Sequence, residues 1–94
     1  MHARVTRTRT DPARFDESLP VVLEAAEAIK RLPGNQSLVI VRDRTTGEGL
    51  VVSTWDTEDH ASYDRDVALS GFPGRLQALG MQIDPTQVLE VIAS

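Results

Sequence analysis

The chain has 94 residues, 40% of them hydrophobic and 26% charged, with a formal net charge of -4 and no cysteine. That length supports one hydrophobic core and one domain spanning residues 1–94, and the missing thiols exclude disulfides, thiolate metal sites and cysteine nucleophiles. The acidic balance argues against nucleic acid as a partner; no apolar run approaches the roughly 20 residues of a membrane helix and the N-terminus has no signal-peptide pattern, so the expected location is the cytoplasm.

Residues 3–10 alternate small or apolar residues with Arg and Thr, which predicts a first strand. Asp11-Pro12 then reads as a helix start, with Asp11 as N-cap and Pro12 at the first helical position. Phe15, Leu19, Val22, Leu23, Ala26 and Ile29 recur at three-and-four spacing, the stripe of one buried helix face. Pro20 lies inside that stripe and predicts a bend, and Leu32-Pro33-Gly34 ends the helix. Residues 37–42 and 49–55 are β-branched runs joined by a polar, glycine-containing turn, so they read as an antiparallel hairpin. Asp56-Thr57-Glu58-Asp59 opens a second helix whose inward stripe is expected at His60, Tyr63, Val67 and Phe72. Gly71 and Pro73-Gly74 interrupt it, leaving residues 75–79 as a separate short turn, and residues 88–93 close the chain as a fourth strand.

The order β-α-β-β-α-β, with right-handed crossovers, predicts an α+β domain with a ferredoxin-like split βαβ antiparallel sheet. Both helices then cover one face. The strands nevertheless carry apolar residues on both: Leu38 and Ile40 oppose Val39 and Val41, Leu50 and Val52 oppose Val51 and Trp55, and Val88 and Ile92 oppose Leu89, Val91 and Ala93. A second copy of the chain is the expected cover, which predicts a homodimer.

The Pro33-Gly34 stop, Trp55 closing the third strand, the acidic start Asp56-Thr57-Glu58-Asp59-His60 and the final Val88-Leu89-Glu90-Val91 together resemble the antibiotic biosynthesis monooxygenase-like superfamily of dimeric α/β barrels. The resemblance spans nearly the whole chain and rests on a pattern of elements. It implies a ligand between helices and sheet, and in the cofactor-free members oxidation of a phenolic substrate whose own anion activates oxygen. Those members orient the substrate with an asparagine, a tryptophan, an arginine and tyrosines. Trp55 matches the tryptophan by position, with Tyr63 and Arg75 as companions, whereas the third strand has no asparagine and Asn35 lies in a turn. Haem-degrading members need a first-strand asparagine and a histidine two to three helical turns after the tryptophan; this chain has neither, since Asp64 and Arg65 stand at that offset.

His60 is the candidate general base, because an ordinary imidazole pKa of about 6.5 suits proton transfer. The candidate ligand-binding residues are Trp55, Tyr63, Phe72, Arg75 and Arg7. Arg4, Arg7 and Arg9 all lie on the central first strand, where a buried guanidinium requires a carboxylate or a ligand, and Glu90 is the expected protein partner for one of them. Two distant histidines give no metal-ligand spacing, and neither metal nor cofactor is expected. Two functions follow: a small-ligand-binding, cofactor-independent monooxygenase acting on a phenolic or aromatic substrate, or a non-catalytic ligand-binding or assembly module on the same fold. A pocket closing around Trp55 with His60 turned inward marks the first, a filled interior with His60 in solvent the second.

Overall fold

The computed structural model describes Met1–Ser94. Its elements are β1 (His2–Arg9), a 3₁₀ turn (Pro12–Arg14), α1 (Phe15–Lys30), β2 (Asn35–Arg42), β3 (Glu48–Trp55), the short helices α2 (Glu58–Ala61), α3 (Arg65–Ala68) and α4 (Phe72–Ala78), then β4 (Gln82–Ile83) and β5 (Gln87–Glu90). The sheet is antiparallel throughout, in the order β2-β3-β1, with β4 and β5 pairing in turn along the free side of β1. This is the expected ferredoxin-like α+β sheet with β1 central. Its last strand is divided: β4 meets Thr8 and Arg9, and β5 meets residues 2–5. No helix is long and apolar enough to cross a membrane.

Asp11 caps the 3₁₀ turn through Ala13 N, and α1 follows it, starting at Phe15 rather than at Pro12. The helix runs through Pro20, and its buried line is Phe15, Ser18, Val22, Ala25 and Ile29. The expected stripe is thereby turned toward smaller residues: Leu19 and Leu23 stand exposed on its flank, and Ala26 is half-buried. Ser18 fits inside because its hydroxyl donates to Phe15 O at 3.1 Å. The hairpin turn is closed by Asp43, whose Oδ1 accepts from Thr45 N and Thr46 N. Gly47 there has φ +82, and its carbonyl accepts from Thr10 N at 2.8 Å.

Strand register sorts the side chains by face. Arg4 stands opposite Ser53 and Val88, Thr6 opposite Val51, and Ser53 opposite Leu38, all toward the helices. Val5 stands opposite Val52, Val52 opposite Val39, and Ala3 opposite Leu89, all on the other face. The helix-side core falls into two clusters, one around Ile29, Trp55, Ala61 and Leu69, the other around Val22, Leu76 and Met81. On the bare face Val39 is 57% exposed, and Val41 and Leu89 49% each. Beyond Glu90 the strand ends earlier than expected, and Ile92 is 92% exposed.

A side chain at Gly47 would meet the Thr10 carbonyl in a left-handed backbone, whereas one at Gly74, inside α4, meets nothing. Urea unfolding is expected to show Gly47→Ala destabilised by at least about 1–3 kcal/mol and Gly74→Ala unchanged or stabilised by up to about 1 kcal/mol.

Candidate functional site

The inner face of β1 carries Arg4, Thr6 and Thr8, so the strand at the centre of the sheet offers the helices no apolar side chain. The two core clusters pack to either side of it, and a cavity of ≈ 90 Å³ remains between them. Ile29 and Leu69 line it from one cluster, and Val22, Leu76 and Met81 from the other. Three arginines, Arg4, Arg42 and Arg65, also line it, and no carboxylate and no histidine does.

Arg4 is buried, and its Nη1 donates to the carbonyls of Ala61 at 3.0 Å and Tyr63 at 2.7 Å. Its guanidinium lies 3.8 Å from the centroid of the Tyr63 ring, a cation–π stack. Burial, with the like charge of Arg65 adding to it, lowers the Arg4 pKa from its ordinary value, while Tyr63 and Asp64 oppose the shift. Asp64 itself is an exposed N-cap that accepts from Asp66 N and Val67 N. Arg65 donates to Asp84 O at 3.0 Å and Thr86 Oγ1 at 3.4 Å, and Thr86 Oγ1 pairs with Thr6 Oγ1 at 2.8 Å. Arg42 donates to Ser18 Oγ at 3.2 Å and faces the Phe15 ring; burial first, then Arg44, lowers its pKa. The cavity is therefore apolar over much of its wall and cationic at its polar points.

Of the residues singled out in the sequence, Tyr63 and Phe72 line the cavity. Trp55 does not: it is 0% exposed in the core, donates to Ser53 Oγ at 2.8 Å and packs 5.2 Å from Tyr63, ring centroid to centroid. His60 also lies outside it. The N-cap Thr57 places His60 in the first turn of a four-residue helix, where Nδ1 sits 2.7 Å from Asp56 Oδ1 and 43% of the side chain is exposed. That hydrogen bond lowers the Asp56 pKa. Arg75 is exposed, pairs with Glu24 at 3.1 Å and lies over the Phe72 ring, 5.4 Å from its centroid. Arg7 is exposed on the opposite face of β1, so the buried arginine is Arg4, and its partners are carbonyls; Glu90 is exposed and makes no ion pair. Arg42 and Arg65 escaped the sequence reading, although Arg42 shares the parity of Leu38 and Ile40 and so had to face the helices. No three His, Cys, Asp or Glu side chains come together as a metal site.

No family model and no curated protein sequence matches this chain. Solved structures do. Rv0793 from Mycobacterium tuberculosis superposes with a TM-score of 0.76 at 12% identity, over 99% of this chain and 96% of that one. An antibiotic biosynthesis monooxygenase gives 0.70 at 15%, over 100% and 99%. The chain has the antibiotic biosynthesis monooxygenase fold. SnoaB, a cofactor-independent oxygenase from Streptomyces nogalater, shares that fold, with a TM-score of 0.70 at 18% identity over 99% of this chain and 94% of its own.

Tyr63 is the one tyrosine in the sequence, so its titration can be followed alone at 295 nm. Burial raises its pKa above the ordinary phenol value of about 10, against a lowering by Arg4 and Arg65. A midpoint above about 10 is expected, moving further up in Arg65→Gln. By linkage, a raised folded pKa gives stability that is complete below the unfolded value and is lost as pH rises through the folded one. Tyr63→Phe should remove that alkaline loss from the unfolding profile.

Proposed function

We propose that this chain works as a homodimer that binds a small phenolic or related aromatic molecule in the cavity under β1 and oxidises it with molecular oxygen, using no cofactor. The observation that carries this reading is the lining: three guanidiniums and no carboxylate against a mostly apolar wall with the hydroxyls of Thr6 and Thr8. Such a site favours the anion of a weakly acidic ligand, because an opposite charge a few ångströms away stabilises the ionised form, more so where water is excluded. The fold shared with a cofactor-independent oxygenase supports the oxidative step.

Oxidation of a phenol to a para-quinone balances with O₂ alone: one oxygen atom enters at the ring carbon para to the hydroxyl, the other leaves as water, and the ring supplies the four electrons. In this reading Arg4 and Arg65 hold the substrate anion and the neutral Tyr63 hydroxyl is available as a donor. The substrate's proton passes to water at the open side, because no carboxylate or imidazole faces the cavity. The same lining offers no imidazole to a haem iron, which speaks against haem degradation. The second reading, a binding module without turnover, is favoured by two observations, the outward placement of His60 and the position of Trp55 outside the cavity wall.

Oxygen uptake with a hydroquinone in air-saturated buffer separates the two. Uptake above the uncatalysed rate is expected, reduced at least about tenfold in Arg65→Gln and changed less than about twofold in His60→Ala. Saturable binding without uptake would select the module.

The homodimer rests on the bare sheet face. Val5, Val39, Val41, Leu50, Val52 and Leu89 form one apolar surface, and covering each side chain fully is worth about 1.5 to 3 kcal/mol. Sedimentation is expected to give a particle of twice the chain mass. Val39→Lys combined with Val41→Lys should give a single chain with unchanged far-UV circular dichroism, and a monomeric wild type at micromolar concentration would contradict the assembly.

A further inference from the structure

We infer that the anionic group this cavity is built for is a carboxylate carried on a single aromatic ring, received by Arg4 and Arg65. This rests on the reading that the cavity is the ligand site and adds the identity of the group bound there. Arg4 spends only Nη1 on the protein, in its bonds to Ala61 O and Tyr63 O. Nε and Nη2 have no protein acceptor, and neither is sealed from solvent, since His2 Nδ1 is the one buried side-chain nitrogen or oxygen left without a partner. Those two N–H groups form the edge of the fork that matches the two oxygens of a carboxylate, whereas a phenolate offers a single oxygen. The stack on Tyr63 fixes the plane of the fork, so a carboxylate must approach in that plane.

Charge and size point the same way. Arg4 and Arg65 repel each other across this end of the cavity, and an anion between them removes the repulsion. Arg42 faces the cavity from the level of Thr8, which is four residues further along β1 than Arg4, or about 13 Å. It is the one guanidinium lining the cavity there, since its neighbour Arg44 lies outside, and it is already bonded to Ser18. A ligand small enough for ≈ 90 Å³ reaches one end only, and the end with two guanidiniums is the stronger anion site. An apolar protein cavity of about 150 Å³ accommodates benzene. The space here is smaller than that, so a single ring fills it and its far edge extends into the open side of the cavity.

Calorimetric titration of the whole chain at pH 7 with 4-hydroxybenzoate and with 4-hydroxybenzamide tests the assignment, because the two share ring and hydroxyl and differ in charge. The acid is expected to bind at least about tenfold more tightly than the amide. In Arg65→Gln that preference should fall below about threefold, and in Arg4→Lys it should fall although the charge is kept, because the two-point fork is lost. Arg4 is buried, so folding of Arg4→Lys is checked by circular dichroism, and if it fails Arg65→Gln alone decides. Equal affinity for acid and amide, no heat from either up to about 10 mM, or a preference that survives in Arg65→Gln would each overturn the assignment. Oxygen uptake with a hydroquinone on the same samples reports separately on the oxidation: uptake without acid preference overturns the carboxylate alone, and acid preference without uptake overturns the oxidation alone.

Discussion

The central strand of this sheet turns Arg4, Thr6 and Thr8 toward its helices, and the rest of the interior is arranged around that choice. A ferredoxin-like sheet with one helical layer normally fills its middle with branched apolar side chains, since burial there is the main driving force. Here the middle is occupied by a guanidinium and short hydroxyl side chains, with Ser53 on the neighbouring strand and Ala25 on the helix above. The apolar residues collect into two clusters on either side, and the space between them is the cavity. Sequence, packing and site are thus one statement: polar alternation on β1 forfeits core and leaves a chamber.

Arg4 also explains how the second helical region is held. That region is three short helices rather than one, and a break exposes carbonyls that an unbroken helix would satisfy. Ala61 O and Tyr63 O lie at the first break, and the same Nη1 accommodates both. A carboxylate partner for Arg4 would have neutralised the cavity. Carbonyl partners leave the charge in place, so the contact that fastens the helices to the sheet also keeps the chamber cationic.

Much of the fold was readable because strands impose a period of two, which the apolar run of β2 keeps beyond the register shift between Asn35 and Ser37. Leu38 and Ile40 face the helices while Val39 and Val41 face out, and Leu50 and Val52 oppose Val51 and Trp55, as alternation requires. The first helix was read with its face displaced, because hydrophobicity favoured Leu19 and Leu23 while close packing against a sheet admitted Ser18 and Ala25. The residues after Trp55 were harder. Their inward positions, Ala61, Tyr63, Leu69, Phe72 and Leu76, follow no single helical period because the helix is interrupted twice. His60 was misplaced with respect to the cavity for that reason, and Tyr63 and Phe72 reach it from the segments that flank the breaks. The site lay partly in a different signal: Arg4 and Arg42 share a strand face with core residues and parity locates them, whereas Arg65 opens α3, beyond the reach of any strand period.

A cavity without an imidazole or carboxylate can still generate a reactive anion if the ligand supplies the acidity and the protein supplies the field. A phenol of ordinary pKa near 10 is ionised to about one part in a thousand at pH 7. A cation within about 4–6 Å lowers such a pKa by about 1–3 units, each worth about 1.4 kcal/mol. The pair Arg4 and Arg65 at one end of the chamber pulls a bound acid toward its anion without any side chain accepting its proton, and burial pulls the other way. Tyr63 is the internal comparison: it stacks under the same guanidinium, yet its pKa is raised, because burial outweighs the charge above its ring. A ligand whose oxygen meets the edge of the fork, rather than its face, receives the charge directly through hydrogen bonds. Orientation against Arg4, more than proximity to it, decides which hydroxyl in this chamber ionises.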